Sequence, residues 1–434
     1  MWDGLRTQRL DRPYVRRDGK LVPATWDEAF KTIAERLKGL DGSRFAAIAG
    51  DLAAVEEMFA LKLLADALGS PNIDCRQDGA RLDPTLGRAT YLVNSTIAGI
   101  DYADAFLLVG TDPRHEAPVL NARILKRTRH ALGKLPVGVI GQEADLTYGY
   151  DYLGAGPETL AEIASGNHPF VKTLEAAERP LLILGQGALA RPDGAGILSL
   201  AAKAAIAIGA TKPALAWNGF NVLHIAAARV GGLDLGFVPG EGGLDVEAML
   251  DAASSGNVEV VYLLGADEID MERLGRAFVI YQGSHGDSGA HRADVILPGA
   301  AYSEKAGIYV NTEGRPQLTS RATFPPGEAR EDWKIVRALS EVLGKTLPFD
   351  SVQALRAEMF AGHPHMALLD TVVPADAATI EQLAGRSTKH GKGRFEPAIA
   401  DFYLTNPIAR ASSIMASLSA LHAGHSDKAT GTDG

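Results

Sequence analysis

The chain has 434 residues, which at roughly 150 residues per domain predicts two or three domains. Its 43 Lys and Arg residues against 53 Asp and Glu residues give a formal net charge of −10, which argues against a nucleic-acid-binding protein with a basic face. The most apolar stretch, residues 195–223, is broken by Lys203, Lys212 and Pro213, so no bilayer span is predicted. The first twenty residues lack the apolar segment of a secretory signal.

The single cysteine, Cys75, limits the chemistry that the chain can support. An intramolecular disulfide needs two cysteines, and an iron–sulfur cluster or a Cys-rich structural zinc site needs more. The chain alone can therefore hold none of these, and a reducing compartment is the natural interpretation. We expect Cys75 to be a small buried apolar residue rather than a nucleophile.

Short apolar runs recur along the chain, and many of them end at a glycine. Glycine makes up 47 of the 434 residues, about 11% against a usual ~7%. Such runs, without polar alternation, predict strands buried on both faces of a parallel sheet. A glycine at the carboxyl end of a strand permits a tight turn. The predicted strands are Phe45–Ala49, Phe106–Val109, Val137–Ile140, Leu181–Leu184, Val258–Leu264, Phe278–Tyr281 and Val295–Leu297.

Helices with one apolar face are predicted between these strands. Thr25–Glu28 has the pattern of a capping box, and the helix that it begins is predicted to end at Gly39. Further apolar stripes run over Met58–Leu68 and Trp333–Leu343, each followed by a glycine. The alternation of strands and helices over residues 25–345 predicts a doubly wound α/β protein with two sheets.

We predict that the chain forms two Rossmann-like lobes, the second inserted in the first. An N-terminal arm precedes them, and an extended C-terminal tail follows, with a short helix around Ile408–Leu421 and disorder in the last ten residues. The predicted boundaries are 1–24 for the arm, 25–100 plus 245–345 for the first lobe, 101–244 for the inserted lobe and 346–434 for the tail.

The turn Gly110–Arg114 follows a predicted buried strand and has two interpretations. As a ligand site, its backbone amides and Thr111 would face a phosphate or a pterin ring at the carboxyl end of the strand. As a plain turn, Asp112 would cap the next helix. The chain has neither a G-x-G-x-x-G sequence at this turn nor a P-loop anywhere, so spacing favours the plain turn.

Two other polar segments leave their role open. His285, Asp287, His291 and Asp294 lie close in sequence, but intervening glycines remove any helical register, which favours a glycine-rich loop over a metal site. The segment 304–315 is dense in Asn, Thr, Glu and Arg, which fits either a binding edge or internal hydrogen bonding. No Ser or Cys has a neighbouring partner that indicates a catalytic triad.

Several stretches resemble the molybdopterin oxidoreductases, the superfamily of formate dehydrogenase and DMSO reductase. These are ADVILPGAAYSEKAGIYVNTEGRPQ, DYADAFLLVGTDPRHEAPVLNARI, and VVYLLGADEID followed by FVIYQGSHGDSGAHRADVILPGA. The resemblance implies two lobes of the type found in domains 1–3 of these enzymes. It also implies that Gly110, Thr111, Asp112, Arg114 and Asp78 are vestigial candidates for the pterin site.

Longer blocks are similar to one branch of that superfamily, the large iron–sulfur subunits (the G subunits) of respiratory complex I, NADH:quinone oxidoreductase. They include WDGLRTQRLDRPYVRRDGKLVPATWDEA, DLTYGYDYLG, IASGNHPF, LDLGFVPG, PPGEAREDWKIVRALSEVLGKTLPFD and DFYLTNPIARAS. Together they extend over nearly the whole chain.

The chain departs from the resembled families in three ways. It lacks the cysteine-rich N-terminal half that carries the 2Fe-2S and 4Fe-4S clusters of the large iron–sulfur subunits. It reads Arg76-Gln77-Asp78-Gly79-Ala80 where molybdoenzymes carry a metal ligand, and Asp78 is the one conceivable ligand there. A short tail stands in place of the C-terminal β-barrel domain of the enzymes.

The resemblance implies a cofactor-free structural region that supports electron transfer from NADH to quinone, with no catalytic residue and no metal in this chain. The expected partners are the other peripheral-arm subunits and the cluster-bearing half, with no nucleic acid. The expected location is peripheral, on the cytoplasmic face of a bacterial inner membrane or on the matrix side in mitochondria. The alternatives are a true molybdopterin-dependent oxidoreductase with Asp78 as ligand, or an unrelated nucleotide-binding module.

Overall fold

Residues 2–425 are described by a computed structural model, in which short strands alternate with helices. The strands are β1 (Tyr14–Arg17), β2 (Lys20–Pro23), β3 (Phe45–Ala49), β4 (Ile73–Asp74), β5 (Ala105–Val109), β6 (Val137–Ile140), β7 (Asp151–Gly154), β8 (Pro180–Leu184), β9 (Thr211–Lys212), β10 (Trp217–Asn218), β11 (Phe220–Val222), β12 (Val260–Leu264), β13 (Phe278–Gly283), β14 (Val295–Pro298), β15 (Ile308–Val310) and β16 (Pro316–Leu318). The α-helices are α1 (Trp26–Leu37), α2 (Val55–Leu68), α3 (Pro113–Glu116), α4 (Pro118–His130), α5 (Pro157–Ala164), α6 (Val171–Glu175), α7 (Gln186–Leu189), α8 (Gly194–Ala207), α9 (Arg229–Asp234), α10 (Val246–Ser254), α11 (Ser288–Arg292), α12 (Asp332–Val342), α13 (Val352–Gly362), α14 (Ala378–Ala384), α15 (Pro407–Arg410) and α16 (Ser413–His425).

The first large sheet has the strand order β2-β1-β14-β13-β12-β3-β4. Its strands from β14 to β4 are parallel, and the β1–β2 hairpin adds to β14 in the antiparallel direction. Both faces of the central strand β12 are buried, with Tyr262 in one apolar cluster and Val261 and Leu263 in another. Burial on both faces explains why this strand reads as an unbroken apolar run.

The second large sheet has the order β11-β8-β5-β6-β7 and is parallel throughout. Leu107 and Val109 of its central strand β5 pack into the same large apolar cluster as the first sheet, whereas Phe106 and Leu108 face a separate cluster. The two sheets therefore share one continuous core.

Both sheets confirm the predicted fold class. Every predicted strand is present within about two residues of its expected bounds, and α1 begins with the predicted capping box of Thr25 and Glu28. Strands from residues 105–222 form the second sheet, and strands from both flanking parts of the chain form the first. The exact lobe boundaries stay a prediction.

The two chain ends have more structure than the sequence indicated. Residues 14–23 form the β1–β2 hairpin, where we expected an arm. The C-terminal tail contains α13 to α16, and the helix predicted around Ile408–Leu421 is divided into α15 and α16. The disorder expected for the last ten residues concerns, from 426 onward, positions outside the described residues. None of the helices described for residues 2–425 is long and apolar enough to cross a bilayer.

Each large sheet has a point where the strand order reverses. In the first sheet it lies between β3 and β12, and in the second between β5 and β8. A Cβ on Gly50 would lie 1.8 Å from the Gly265 carbonyl oxygen, and one on Gly185 would lie 2.5 Å from that of Gly110. Glycine is therefore needed where these strand ends meet. In doubly wound folds, ligands bind at such reversal points, outside the carboxyl ends of the strands.

Candidate functional site

A cavity of about 580 Å³ lies where the carboxyl ends of the two sheets face each other. The loops after β3, β4 and β12 contribute Asp51, Asp78 and Glu268, and the turn after β5 contributes His115 and Glu116. The fold thus brings Asp78 and the end of the 110–116 turn, 30 or more residues apart in the chain, to the walls of one cavity. Residues 398–406 close it from the C-terminal side.

The polar donors of the Gly110–Arg114 turn are used within the turn itself. The Thr111 hydroxyl donates to Glu116 Oε2 at 2.6 Å, and the Asp112 backbone N–H donates to Glu116 Oε1 at 2.9 Å. The Asp112 carboxylate accepts from the Arg114 backbone N–H at 3.0 Å, so the predicted helix cap is confirmed. Burial raises the pKa of Glu116 to about 7, against the two hydrogen bonds that favour its charged form.

Arg114 and Gly110 have separate roles at this turn. The Arg114 guanidinium points outward and pairs with Asp145, whose backbone carbonyl it also reaches at 2.8 Å. Gly110 has φ near +57°, and a Cβ there would lie 2.6 Å from that of Ala188. Glycine is required at this position for close approach of the next strand's turn, which is a sufficient reason for its presence.

A smaller cavity of about 290 Å³ adjoins the same turn and is markedly acidic. None of the Lys and Arg side chains of residues 2–425 lines it. Its lining includes the carboxylates of Asp112, Glu116, Glu143, Asp145 and Glu396. An anionic ligand would have little positive charge to meet there.

Asp78 is engaged by a buried arginine. Arg229, on α9, is 1% exposed and donates to Asp78 Oδ1 at 2.9 Å and to the Cys75 carbonyl oxygen at 3.3 Å. Such a pairing stabilises a carboxylate as part of an ion pair and leaves it less free to ligate a metal. Cys75 itself is buried, as expected, and burial raises its thiol pKa to about 12.

Asp51 lies in the wall of the large cavity at the reversal point of the first sheet. Burial, and then repulsion from Glu268, raise its pKa to about 7. Glu268 accepts from Gln77 Nε2 at 2.6 Å and from Arg410 Nη2 at 2.7 Å, and burial raises its pKa as well. The cleft therefore holds more carboxylate charge than it can fully compensate.

The raised pKa of Asp51 predicts a pH-dependent stability. Between about pH 4 and pH 7 the folded chain holds a proton that the unfolded chain has released, so this group's contribution to stability falls as pH rises through that range. Asp51→Asn removes the cost of ionisation. We expect the stability difference between variant and wild type to grow in favour of the variant by about 2 kcal/mol from pH 5 to pH 8. Urea unfolding at both pH values measures it, and an unchanged difference would contradict the assignment.

The backbone of residues 389–402, called the strap below, runs across the carboxyl edge of the second sheet. The Phe395 N–H donates to the Ala155 carbonyl oxygen at 2.9 Å, and the Gly391 N–H donates to Asp193 at 2.7 Å. Glycines admit the strap: a Cβ on Gly187 would lie 2.2 Å from the Glu396 carbonyl oxygen, and one on Gly196 would lie 1.9 Å from that of Lys389. The ring of Phe395, 1% exposed, fills the space beside the Gly110 turn.

The histidine-containing loop is held by local and N-terminal contacts. His285 Nε2 lies 2.9 Å from the Gly4 carbonyl oxygen, and Asp287 accepts from Arg410 at 2.6 Å. Asp294 accepts from the Val279 N–H at 2.8 Å, and the His291 carbonyl oxygen accepts from Arg16. Within residues 2–425, no group of three His, Cys, Asp or Glu residues is arranged to hold a metal ion.

The polar segment 304–315 is used for internal bonding. The buried Lys305 donates to Glu57 Oε2 at 2.6 Å and to Asp332 Oδ2 at 2.8 Å. Glu304 pairs with both Nη atoms of Arg9, and Glu313 accepts from the Ile97 N–H at 2.7 Å. Of the two roles that composition left open for this segment, these contacts fit the structural one.

The sequence model of the molybdopterin oxidoreductase family matches residues 9–342. The chain belongs to this family. A second model, for the C-terminal part of the G subunit of NADH-ubiquinone oxidoreductase, matches residues 371–418 of this molybdopterin-oxidoreductase-like chain. The strap lies inside that second match.

Curated relatives include subunits of NADH dehydrogenases. The chain is 42% identical over 422 residues to the mitochondrial NADH dehydrogenase [ubiquinone] iron-sulfur protein 1 of Solanum tuberosum, covering 97% of this chain and 55% of that protein. It is 42% identical over 415 residues to the G subunit of the NADH-quinone oxidoreductase of Rickettsia felis, covering 96% and 59%. The chain thus spans little more than half the length of these relatives.

Solved structures support the fold alone. Acetylene hydratase from Pelobacter acetylenicus aligns with a TM-score of 0.52 and 13% identity, covering 85% of this chain and 66% of the other. A chain of the formyltransferase/hydrolase complex of Methylorubrum extorquens aligns with a TM-score of 0.57 and 18% identity, covering 77% and 99%.

Sequence reasoning did not single out Glu116, Arg229 or Asp51, which determine the electrostatics of the cleft. Glu116 could have been noticed, since an acidic residue four positions after Asp112 can reach back to the start of a short helix. Arg229 lies about 150 residues from Asp78, and no local pattern indicates that contact.

Proposed function

We propose that this chain is the cofactor-free, structural region of the peripheral arm of an NADH:quinone oxidoreductase, respiratory complex I. In this role it supports electron transfer that iron–sulfur clusters on other segments or chains carry out. The identity to large subunits of this enzyme over nearly the whole chain supports the assignment to this complex. We further propose that the chain has no catalytic centre of its own.

The observation that carries the proposal is the position of Glu116. A pterin nucleotide would need the Thr111 hydroxyl and the Asp112 N–H as donors to its phosphates, and both donate to the Glu116 carboxylate instead. The residues of this turn therefore fit a pterin nucleotide poorly, because a phosphate would face a carboxylate across the same donors. The acidic lining of the adjoining cavity adds to this misfit.

The strap supports the same proposal. It lies over the carboxyl ends of the second sheet, where a nucleotide would approach in a doubly wound fold. Its backbone contacts at Gly187 and Gly196 leave no space for a ligand between strap and sheet. A segment of the chain itself therefore covers the place of a cofactor.

The proposed partners are the other peripheral-arm subunits and the part of the large iron–sulfur subunit that this chain does not span. By resemblance, that part would carry the 2Fe-2S and 4Fe-4S clusters. We propose a peripheral location at the membrane, on the cytoplasmic side in a bacterium or on the matrix side in a mitochondrion.

The test is elemental analysis of the purified chain for molybdenum and tungsten by mass spectrometry, with pterin fluorescence on the same sample. We expect both to be at background, because the Gly110–Arg114 turn has no free donors for the nucleotide. A formate dehydrogenase produced in the same cells is the control for cofactor supply. Near-stoichiometric metal with pterin would instead identify a molybdopterin enzyme, with Asp78 as candidate ligand.

A further inference from the structure

The C-terminal helix α16 is a surface helix without a charged side chain. Its sequence from Ser413 to His425 is SIMASLSALHAGH, in a protein whose residues are 22% charged. Ile414 is 59% exposed and Leu418 is 38% exposed. Four residues apart, they lie on the same face of the helix. A solvated surface helix normally carries its polar and charged residues on the outer face, and α16 does not.

An aromatic side chain lies beside this face. Trp2 is 71% exposed, and the Arg6 guanidinium stacks on its ring with Cζ at 4.8 Å from the ring centre. The next residue, Asp3, contacts the start of α16, where the Ser412 hydroxyl donates to it at 2.7 Å and the Ile414 N–H lies 3.4 Å away. Trp2, Ile414 and Leu418 therefore belong to one neighbourhood, called the Trp2–Leu418 face below.

The composition of this face is that of an interface core. Trp and Arg are enriched where proteins bind each other, while Lys, Glu and Asp are depleted there. The small residues Ala416 and Ser417, between the two apolar ones, would let another backbone approach closely. Arg6 is the charged group at the edge, which favours an acidic residue on the rim of the partner.

The position of the face in the sequence indicates which kind of partner covers it. The match to the molybdopterin oxidoreductase family ends at residue 342, before α16. The match to the C-terminal model of the NADH-ubiquinone oxidoreductase subunit runs over residues 371–418 and includes both Ile414 and Leu418. The exposed apolar positions thus lie in the segment that this chain shares with subunits of a complex, outside the part that it shares with the wider enzyme family.

We infer that the Trp2–Leu418 face is a docking surface for a neighbouring subunit of the complex, which covers it with an uncharged, apolar surface and an acidic residue opposite Arg6. This inference rests on the proposed function. A second copy of this chain is a different occupant, and it is an outcome of the test.

The test uses the complex itself. Ile414→Gln and Leu418→Gln are introduced together into the chromosomal gene, and NADH:quinone oxidoreductase is purified from the membranes. Gln keeps the helix propensity of α16 and removes the apolar contact. We expect the fraction of complex that retains this chain after a salt wash to fall at least about tenfold, a change equivalent to about 1.4 kcal/mol of binding free energy. Trp2→Gln, outside the helix, is expected to lower the same fraction without any effect on α16.

The matched control is Val119→Gln with Val342→Gln, which replaces two exposed apolar residues on other helices. It should leave assembly unchanged, and thermal unfolding of both double variants should match wild type. If the wild-type chain is absent from the purified complex, the proposed function is wrong. If the wild-type chain is present and the variants are retained equally, the docking surface is wrong. A dimer of the isolated chain that the Ile414 and Leu418 changes dissociate would overturn the inference in favour of a second copy.

Discussion

Replacing Lys305 by Met is expected to lower the free energy of unfolding by about 3–5 kcal/mol. The Lys305 ammonium is the partner of two buried carboxylates, Glu57 at 2.6 Å and Asp332 at 2.8 Å, and all three side chains are less than a tenth exposed. Without the ammonium, the two carboxylates repel each other in a site of low dielectric constant. Burial and the Asp332 charge already hold the pKa of Glu57 well above its usual range, so one carboxyl group must take up a proton on folding.

The loss should therefore be larger at pH 8 than at pH 5, since protonation relieves the repulsion at the lower pH. Urea unfolding followed by circular dichroism measures both values. Lys31→Met is the control, because Lys31 pairs with Asp27 at an exposed position where both side chains are about two-thirds open to solvent. Its expected effect is at most about 0.5 kcal/mol. If the two variants lose the same stability, the buried triad does not stabilise the fold in the way that its burial predicts.

Replacing Phe395 by Ala is expected to cost about 3–5 kcal/mol and to release the strap from the second sheet. Phe395 is 1% exposed and belongs to the large apolar cluster shared by both sheets, with the Arg191 guanidinium 5.7 Å from its ring centre. It is the buried apolar anchor of an otherwise exposed segment. Its removal leaves a cavity between the strap and the Gly110 turn that the backbone hydrogen bonds alone must bridge.

Amide hydrogen exchange distinguishes release of the strap from general destabilisation. In the variant, residues 389–402 and the turn at 110–116 should lose protection first, while β12 and β13 keep theirs. Phe324→Ala is the control, because Phe324 is 74% exposed and its removal should cost less than about 0.5 kcal/mol. Uniform loss of protection across both sheets would show that Phe395 supports the core as a whole and not the strap.

The parts of the fold that could be predicted from sequence are those in which a local pattern and tertiary burial agree. The strand at Val260–Leu264 is apolar along its length because both of its faces are covered. The hairpin at residues 14–23 was missed because it joins an edge of the sheet, where Arg16, Arg17 and Lys20 can keep their charges in solvent. Its place depends on pairing with residues almost 280 positions later, such as Tyr14 with Ile296.

The candidate site illustrates the same division. The sequence places Thr111 and Asp112 at the end of a buried strand, and the structure places them there too. It does not indicate that Glu116 uses their hydrogen bonds, since a turn with free donors and one with occupied donors differ by side-chain direction alone. Nor can a glycine such as Gly187 indicate what approaches it. In this fold it is a strap more than 200 residues further along the chain.

The β1–β2 hairpin has a practical consequence for handling this protein. It covers the outer edge of β14, a strand of Val, Ile and Leu whose faces are already buried. Any shortened form that begins after Pro23 would expose a row of unpaired amide and carbonyl groups along an apolar strand, which is the template on which chains add to one another. The first two dozen residues thus act as a guard against aggregation, and they belong in every version of the polypeptide that is to be produced in soluble form.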